Sequence, residues 1–251
     1  MVISGEDIKA FEEQKTNFIF DVDGTLTPNR GLIDPEFKTW FLEFIKRNNV
    51  YLATGSDAPK TIEQIGQDVF NSVRRMYNCS GNSVWENGVN IYNNKWSLPT
   101  LPFKFLEQKL NQSEFKLRTG THFDARPGLL NYSIIGRGCD KEQRKEYVEY
   151  DERTKERWVI AKEFNELFSE SENIVAQVAG ETGIDIMPIG KGKQQILDDF
   201  AVDDILIFFG DKCQKGGNDH DISVAVRERE TGAVHEVEDW EHTWQILKKK
   251  Y

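Results

Sequence analysis

Cysteine is scarce in this chain: Cys79, Cys139 and Cys213 are an odd number, with no CxxC pair among them. The pattern supports neither a disulfide scaffold nor a zinc site, and it fits a reducing cytoplasm. Histidine is sparse too. His122, His235 and His242 have no spacing that would gather a metal, and His220 with Asp221 reads as a brace for the adjoining loop. No stretch approaches the roughly 18 apolar residues of a membrane span. The opening MVISGEDIKAFEEQ has neither a basic nor an apolar region, so export and membrane insertion are not expected. Positive charge is in deficit: 32 Lys and Arg against 42 Asp and Glu give a net charge of -10, which argues against a general nucleic-acid or anionic-membrane binder. An acidic whole can still hold a basic pocket. Low-complexity tracts are absent, and 251 residues with 38% hydrophobic content suffice for one large or two modest ordered domains.

The organisation that is present alternates. Asn17-Phe18-Ile19-Phe20 is a β-rich apolar run that passes directly into Asp21-Val22-Asp23-Gly24-Thr25, as a buried strand ending in a polar loop would. After Asp34-Pro35, a helix-start signal, Phe37, Trp40, Phe41, Phe44 and Ile45 recur at helical spacing. Val50 to Ala53 reads as a second buried strand, ending in Thr54-Gly55-Ser56-Asp57, and Ile62, Ile65 and Val69 mark one further helix. This alternation predicts an open, doubly wound parallel α/β sheet whose ligands lie beyond the carboxyl ends of the strands. After Trp85-Glu86-Asn87-Gly88 the pattern changes. Val89 to Tyr92, Phe115 to Arg118 and Leu129 to Ile135 alternate as strands do, and charged helical stretches follow at Asp140 to Tyr150 and Lys155 to Phe168. Ile174 to Ala179 and Ile184 to Met187 read as further strands. The doubly wound pattern returns with a helix from Gln194, a strand over Ile205 to Phe209 and the turn Gly210-Asp211-Lys212. The expected architecture is a core of residues 1–89 and 187–251 interrupted by an α+β insert of residues 90–186. The last tryptophans, Trp240 and Trp244, are placed on the buried face of a terminal helix, and Lys248-Lys249-Lys250 on its solvated end.

The polar loops at the strand ends carry the chemistry. Asp21 can accept a phosphoryl group covalently, and Asp23, two residues on, can exchange a proton with the entering or leaving hydroxyl. Phosphoryl transfer needs a cation beside crowded negative oxygens, and Mg²⁺ favours one or two carboxylates with phosphate and water. Asp21, Asp23, Asp211, Asn218 and Asp219 are therefore candidate metal ligands. Lys193 can pair with the transferring group, and the Thr54 hydroxyl can donate to it. A lone DxD is a common turn sequence; four polar loops, each after an apolar strand, are not readily explained by turns alone.

Taken together, DVDGTLT, the loop after the second strand, a later lysine and GDK with GGND resemble the four motifs of the haloacid dehalogenase superfamily. The closer resemblance is to the α-phosphomannomutase family of eukaryotic type, through FDVDGTLTPNR, Gly55-Ser56-Asp57, Glu86-Asn87-Gly88, RPGLLNYSIIGR and FFGDKCQKGGNDHDI, in order from Phe18 to Ile222. It implies a mutase that interconverts mannose 6-phosphate and mannose 1-phosphate, with Mg²⁺ as cofactor and hexose 1,6-bisphosphate as activator. Asp21 would form an aspartyl phosphate and Asp23 would act as general acid and base. The insert would be a cap that closes and excludes water, with hinges near Glu86-Asn87-Gly88 and Pro188.

The same resemblance gives the cap its residues. Arg126, Arg137 and Arg144 match the family's arginines for the distal phosphate, a role suited to a planar guanidinium fork. Asn131 matches the cap asparagine, Asp185 a carboxylate that contacts sugar hydroxyls, and Arg30 the core arginine after the first motif. There are departures. Gly183 stands where the family has a phosphate-binding serine, Pro127 replaces a polar residue, and Ile189-Gly190-Lys191-Gly192-Lys193 replaces DGWDK, with the register favouring Lys193 over Lys191. These leave two alternatives beside the mutase: a phosphatase on the same scaffold, and a non-catalytic sugar-phosphate binding protein. The expected partner is a phosphorylated hexose, with no nucleic acid or membrane, and the resemblance suggests a homodimer formed through the cap.

Overall fold

The computed structural model describes residues 16–251. In chain order its elements are β1 (Thr16–Phe20), α1 (Pro35–Arg47), β2 (Asn49–Ala53), α2 (Ala58–Ile65), α3 (Gln67–Ser72), β3 (Arg75–Asn78), β4 (Ser83–Glu86), β5 (Val89–Asn93), α4 (Thr100–Gln112), β6 (Phe123–Arg126) and β7 (Leu129–Tyr132). Then come α5 (Lys141–Thr154), α6 (Glu156–Glu172), β8 (Ile174–Ala179), β9 (Gly183–Pro188), β10 (Ile205–Gly210), α7 (His220–Arg227), β11 (Gly232–Glu236) and α8 (Trp240–Lys250). Short 3-10 helices occupy Cys79–Gly81 and Lys193–Asp199. The chain forms two compact units, one of residues up to Ile91 with Lys193–Tyr251, the other Tyr92–Gly192. Strand β9 runs to Pro188 and pairs there with Ile174, so a division at residue 186 would cut it.

The first unit is built on a seven-stranded sheet in the order β11-β10-β1-β2-β3-β4-β5. Strands β11, β10, β1, β2 and β3 are parallel, and β4 turns back antiparallel to β3. Phe18, Ile19 and Phe20 are buried, as expected of a central parallel strand covered on both faces. Helix α1 starts where Pro35 occupies its first turn and the Asp34 carboxylate accepts from the Glu36 and Phe37 amides. Its Phe41 and Phe44 meet Phe20 and Phe18 edge-on, with centroids 5.3 and 5.0 Å apart. Each such aromatic pair adds about 0.5–1.5 kcal/mol beyond burial. The expected single helix through Ile62, Ile65 and Val69 is instead two, because Gly66 at φ 85 leaves the helical region between α2 and α3. The expected helix from Gln194 is the 3-10 helix that includes Lys193 itself.

The second unit has a four-stranded antiparallel sheet in the order β6-β7-β9-β8, with a core that includes Leu106, Tyr132, Tyr147, Phe164 and Ile184. Phe115 to Arg118 is not the expected strand. The Arg118 guanidinium takes the carbonyls of Leu110 and Leu117 at 2.9 and 3.0 Å, along with that of Phe115, so side-chain bonds replace a ladder there. The strand expected over Leu129 to Ile135 stops at Tyr132, and the chain then turns at Gly136, φ 90. Among the described residues no helix is long and apolar enough to cross a membrane.

Candidate active site

Strand β1 does not release the chain at Phe20: the Asp21 amide still donates to the Phe209 carbonyl at 2.9 Å, which fixes the backbone of the first aspartate. The loop beyond closes on itself, with the Leu26 and Thr27 amides donating to the Val22 carbonyl at 3.0 and 3.1 Å. Gly24 lies in the left-handed region at φ 82, and a Cβ there would run into the Asp211 carboxylate. The two acidic loops can approach only because this position has no side chain. Asp211 follows β10, and Asp219 stands at the N-terminal boundary of α7 without a side-chain capping bond. One carboxylate oxygen from each of Asp21, Asp211 and Asp219 lies within 4.8 Å of the others.

Lys193 enters from the 3-10 helix. Its Nζ donates to Asp21 Oδ1 at 2.5 Å and to Asp219 Oδ1 at 2.6 Å, and all three side chains are at most 2% exposed. The helix is anchored along its length: Gln195 Nε2 donates to the Ser80 carbonyl at 2.8 Å, and Asp199 accepts from Arg75 at 2.6 Å and the Tyr77 hydroxyl at 2.8 Å. Burial and the neighbouring Asp219 push the Asp21 carboxyl up to about 8, against the pull of Lys193. Burial alone would lower the Lys193 ammonium, but Asp21 and Asp219 outweigh it and hold the group above its ordinary range. Burial also raises Asp211, with Lys212 opposing. Asp21 Oδ2 and Asp211 Oδ1 are buried without a hydrogen-bond partner. Two orphaned carboxylate oxygens in an all-oxygen cluster suit a hard divalent cation such as Mg²⁺, so the residues present fit that ion.

Thr54 continues the line of strand ends, its amide donating to the Tyr77 carbonyl at 2.9 Å. Its hydroxyl oxygen accepts from the Ser56 amide at 3.1 Å. Asp23 is not one of the three carboxylates that lie within 4.8 Å of one another. Its Oδ1 is turned instead to the Arg30 amide at 2.7 Å and to Gln64 Nε2 at 2.8 Å. Arg30 takes φ 56 in that turn, and its side chain is exposed. Asn218 is likewise exposed, next to the buried Asp219.

In the second unit a polar row crosses the sheet, because strand register sets Asp124 opposite Asn131 and Asn131 opposite Asp185. Asn131 Nδ2 donates to Asp185 Oδ1 at 2.6 Å, and Arg137 donates to Asn131 Oδ1 at 3.2 Å. Arg126 holds Asp124 Oδ2 through two nitrogens at 2.7 and 3.0 Å, and Arg137 reaches the same oxygen at 3.5 Å. Burial raises the Asp185 carboxyl, opposed by Asn131, Arg126 and Arg137. A Cβ on Gly183 would lie 2.6 Å from Asn131 Nδ2, so the asparagine amide fills the space a larger residue would need. Arg144, on α5, is paired with Glu181 at 3.5 Å.

Residues 37–251 match the family model described as eukaryotic phosphomannomutase. The chain belongs to the eukaryotic phosphomannomutase family. A phosphomannomutase of Glycine max is 33% identical over 217 residues, covering 81% of this chain and 85% of that protein. A probable phosphomannomutase of Caenorhabditis elegans is 29% identical over 259 residues, covering 94% and 96%. Among solved structures, a haloacid dehalogenase-like hydrolase from Bacteroides thetaiotaomicron superposes with a TM-score of 0.61 at 11% identity, covering 95% of this chain and 100% of that one. The C-terminal domain of a Candida albicans trehalose-6-phosphate phosphatase gives 0.59 at 16% identity, over 86% and 75%. At those identities the likeness speaks for the fold alone.

Within this phosphomannomutase-family chain the structure gathers Asp21, Lys193, Asp211 and Asp219 into one cluster, and Arg126, Asn131, Arg137 and Asp185 into another. Two residues that touch candidate site residues carry no signal that the sequence reading used. Gln64 carries no motif, and only its contact with Asp23 across 41 residues reveals it. Asp124 was readable in principle, two residues before Arg126 in alternating sequence, but its second arginine partner, Arg137, comes from beyond β7.

Proposed function

We propose that the protein interconverts mannose 6-phosphate and mannose 1-phosphate through an aspartyl phosphate on Asp21 and a hexose bisphosphate. The observation that carries this reading is the buried cluster of Asp21, Lys193, Asp211 and Asp219, a phosphoryl-transfer site by composition, in a chain of the phosphomannomutase family. Asp21, Asp211 and Asp219 would hold Mg²⁺, with Asn218 nearby in sequence. When bound, the ion offsets the charge that gathers on the phosphoryl oxygens. Lys193 and the Thr54 hydroxyl orient the transferring group. Asp23 gives a proton to the leaving sugar oxygen and, on the return transfer, removes one from the attacking hydroxyl. Arg126, Arg137 and Arg144 take the second phosphate, Asn131 and Asp185 take sugar hydroxyls, and Arg30 assists on the core side. Hexose 1,6-bisphosphate would start the cycle by charging Asp21.

A phosphatase on the same scaffold is the second reading, favoured by the bare Gly183 position, where the Asn131 amide fills the space and no hydroxyl is offered. Incubation with mannose 1-phosphate, Mg²⁺ and a trace of hexose bisphosphate separates the readings. Mannose 6-phosphate is the expected product; stoichiometric inorganic phosphate would support the phosphatase, and no turnover a binding protein. Self-association through the second unit belongs to the same proposal, supported by Leu101, Trp158, Val159 and Leu167, exposed by 48 to 64%. A monomer in light scattering would refute it.

A further inference from the structure

Gln64 sits on α2, outside every motif that marks the site, yet it is 1% exposed and reaches the second aspartate. Its place is fixed from several sides. The Asp57 carboxylate caps α2 by accepting the Lys60 amide at 3.1 Å, and the helix ends at Gly66. The Gln64 carbonyl accepts the Ile33 amide at 2.8 Å, which ties this turn of helix to the chain just after Arg30. From there Nε2 donates to Asp23 Oδ1 at 2.8 Å. The same oxygen accepts the Arg30 amide at 2.7 Å. Asp23 Oδ2 has no hydrogen-bond partner among the described residues. On the other side of the amide, Gln64 Oε1 is buried and unpartnered. A folded chain tolerates such an orphan where the group serves something besides packing.

The two oxygens of Asp23 are therefore unequal. Oδ1 is loaded with two N–H donors along its lone pairs, so a proton has no place on it. The carboxylate accepts both donors, and the carbonyl oxygen of the neutral acid can still accept both while the proton sits on Oδ2. We propose that Gln64 is a positioning residue for proton transfer: with the Arg30 amide it immobilises Oδ1 and leaves Oδ2 as the oxygen that gives and takes the proton.

The inference rests on the roles given above to Asp21 and Asp23. As an Asp21 carboxylate oxygen bonds to phosphorus, the bond from phosphorus to the sugar oxygen breaks. Its electron pair goes to that oxygen, which takes the proton from Asp23 Oδ2. On return, the ionised Oδ2 takes the proton of the attacking hydroxyl as that oxygen bonds to phosphorus, and the electron pair of the Asp21 bond goes back to the carboxylate.

A residue that only supported the fold would, when replaced, slow all phosphoryl donors alike. One that aims the acid slows most the donors whose leaving oxygen needs a proton. The test is single-turnover phosphorylation of wild type and Gln64→Met by a series from p-nitrophenyl phosphate to alkyl phosphates, followed by acid quench. The loss is expected to grow with leaving-group basicity, by about tenfold or more across the series, within the span of general acid catalysis. In an Asp23→Asn background the same replacement should add no further selectivity. If Gln64→Met does not fold, Gln64→Asn keeps the amide but falls short of Asp23, and the same selectivity is expected of it. A uniform loss across the series, or full additivity with Asp23→Asn, overturns the inference. Phosphoenzyme that passes its group only to water would sink the mutase reading and leave this comparison decisive. Failure of wild type to form phosphoenzyme from any donor would overturn both.

Discussion

Replacing Lys193 with methionine would remove the ammonium between two buried carboxylates while keeping most of the side-chain volume. Lys193 is 3% exposed, Asp21 1% and Asp219 0%, so water cannot take over the charge. Breaking a buried ion pair by deleting one partner costs about 3–5 kcal/mol, and the two contacts share one lysine and count as a single network. For a chain of this size that corresponds to a fall of roughly 6–20 °C in melting temperature. The loss should depend on pH with a definite sign. Asp21 in the folded protein is pushed up to about 8, from 3.8 for a free side chain. The folded state thus holds a proton that the unfolded state releases, and this group's contribution to stability falls as pH rises from about 4 to about 8. Removing Lys193 deletes an interaction that lowers Asp21, so the penalty should be larger at pH 8 than at pH 5. Mg²⁺ should restore part of it at pH 8, by about 2.7 kcal/mol at a hundred times its Kd. Urea or thermal unfolding at both pH values, with EDTA or with Mg²⁺, reads all of this. A loss under about 1 kcal/mol, or one unaffected by pH and Mg²⁺, would refute the account of the cluster.

Asp21→Asn should abolish phosphoenzyme formation in an acid-quench assay, and retained labelling would move the nucleophile elsewhere. Arg137→Ala combined with Arg144→Ala should lower mutase turnover at least about tenfold more than hydrolysis of an aryl phosphate, the cost of about 1.4 kcal/mol of phosphate binding; equal losses would take the distal phosphate away from them. Arg157→Met should destabilise the second unit by about 3–5 kcal/mol in urea, since its guanidinium joins the buried Asp151 at 2.9 Å to the Gly180 carbonyl at 3.0 Å. A loss within the noise of the urea fit would mean that this pair is not holding the turn before Gly183.

Much of the core was legible because the chemistry sits where a period-two or buried run stops. Asp21, Thr54 and Asp211 each follow a strand whose apolar residues announce it, and order along the chain does the rest. Helix α4 escaped because Pro102 and the spread of apolar residues in TLPFKFLEQKLNQ blur its period. Strands β3 and β4 are four residues each, too short to show alternation. The break at Gly66 turns on a single positive φ, and Phe115 to Arg118 looked like a strand because its apolar alternation is real, though Arg118 bonds its carbonyls. At the site, Asp23 shares a motif with Asp21, which makes it a candidate metal ligand by sequence; its hydrogen bonds to the Arg30 amide and Gln64 depend on the loop's turn and on a helix 41 residues away. Residue type and spacing locate charge, but only packing decides which oxygen faces what.

In the proposed reaction, phosphate leaves Asp21 for another sugar oxygen rather than for water. Trace hexose 1,6-bisphosphate carrying ³²P, added with excess mannose 1-phosphate and Mg²⁺, follows that phosphate directly. The label should pass into hexose monophosphate, and its release as inorganic phosphate in step with turnover would rule out transfer between sugars.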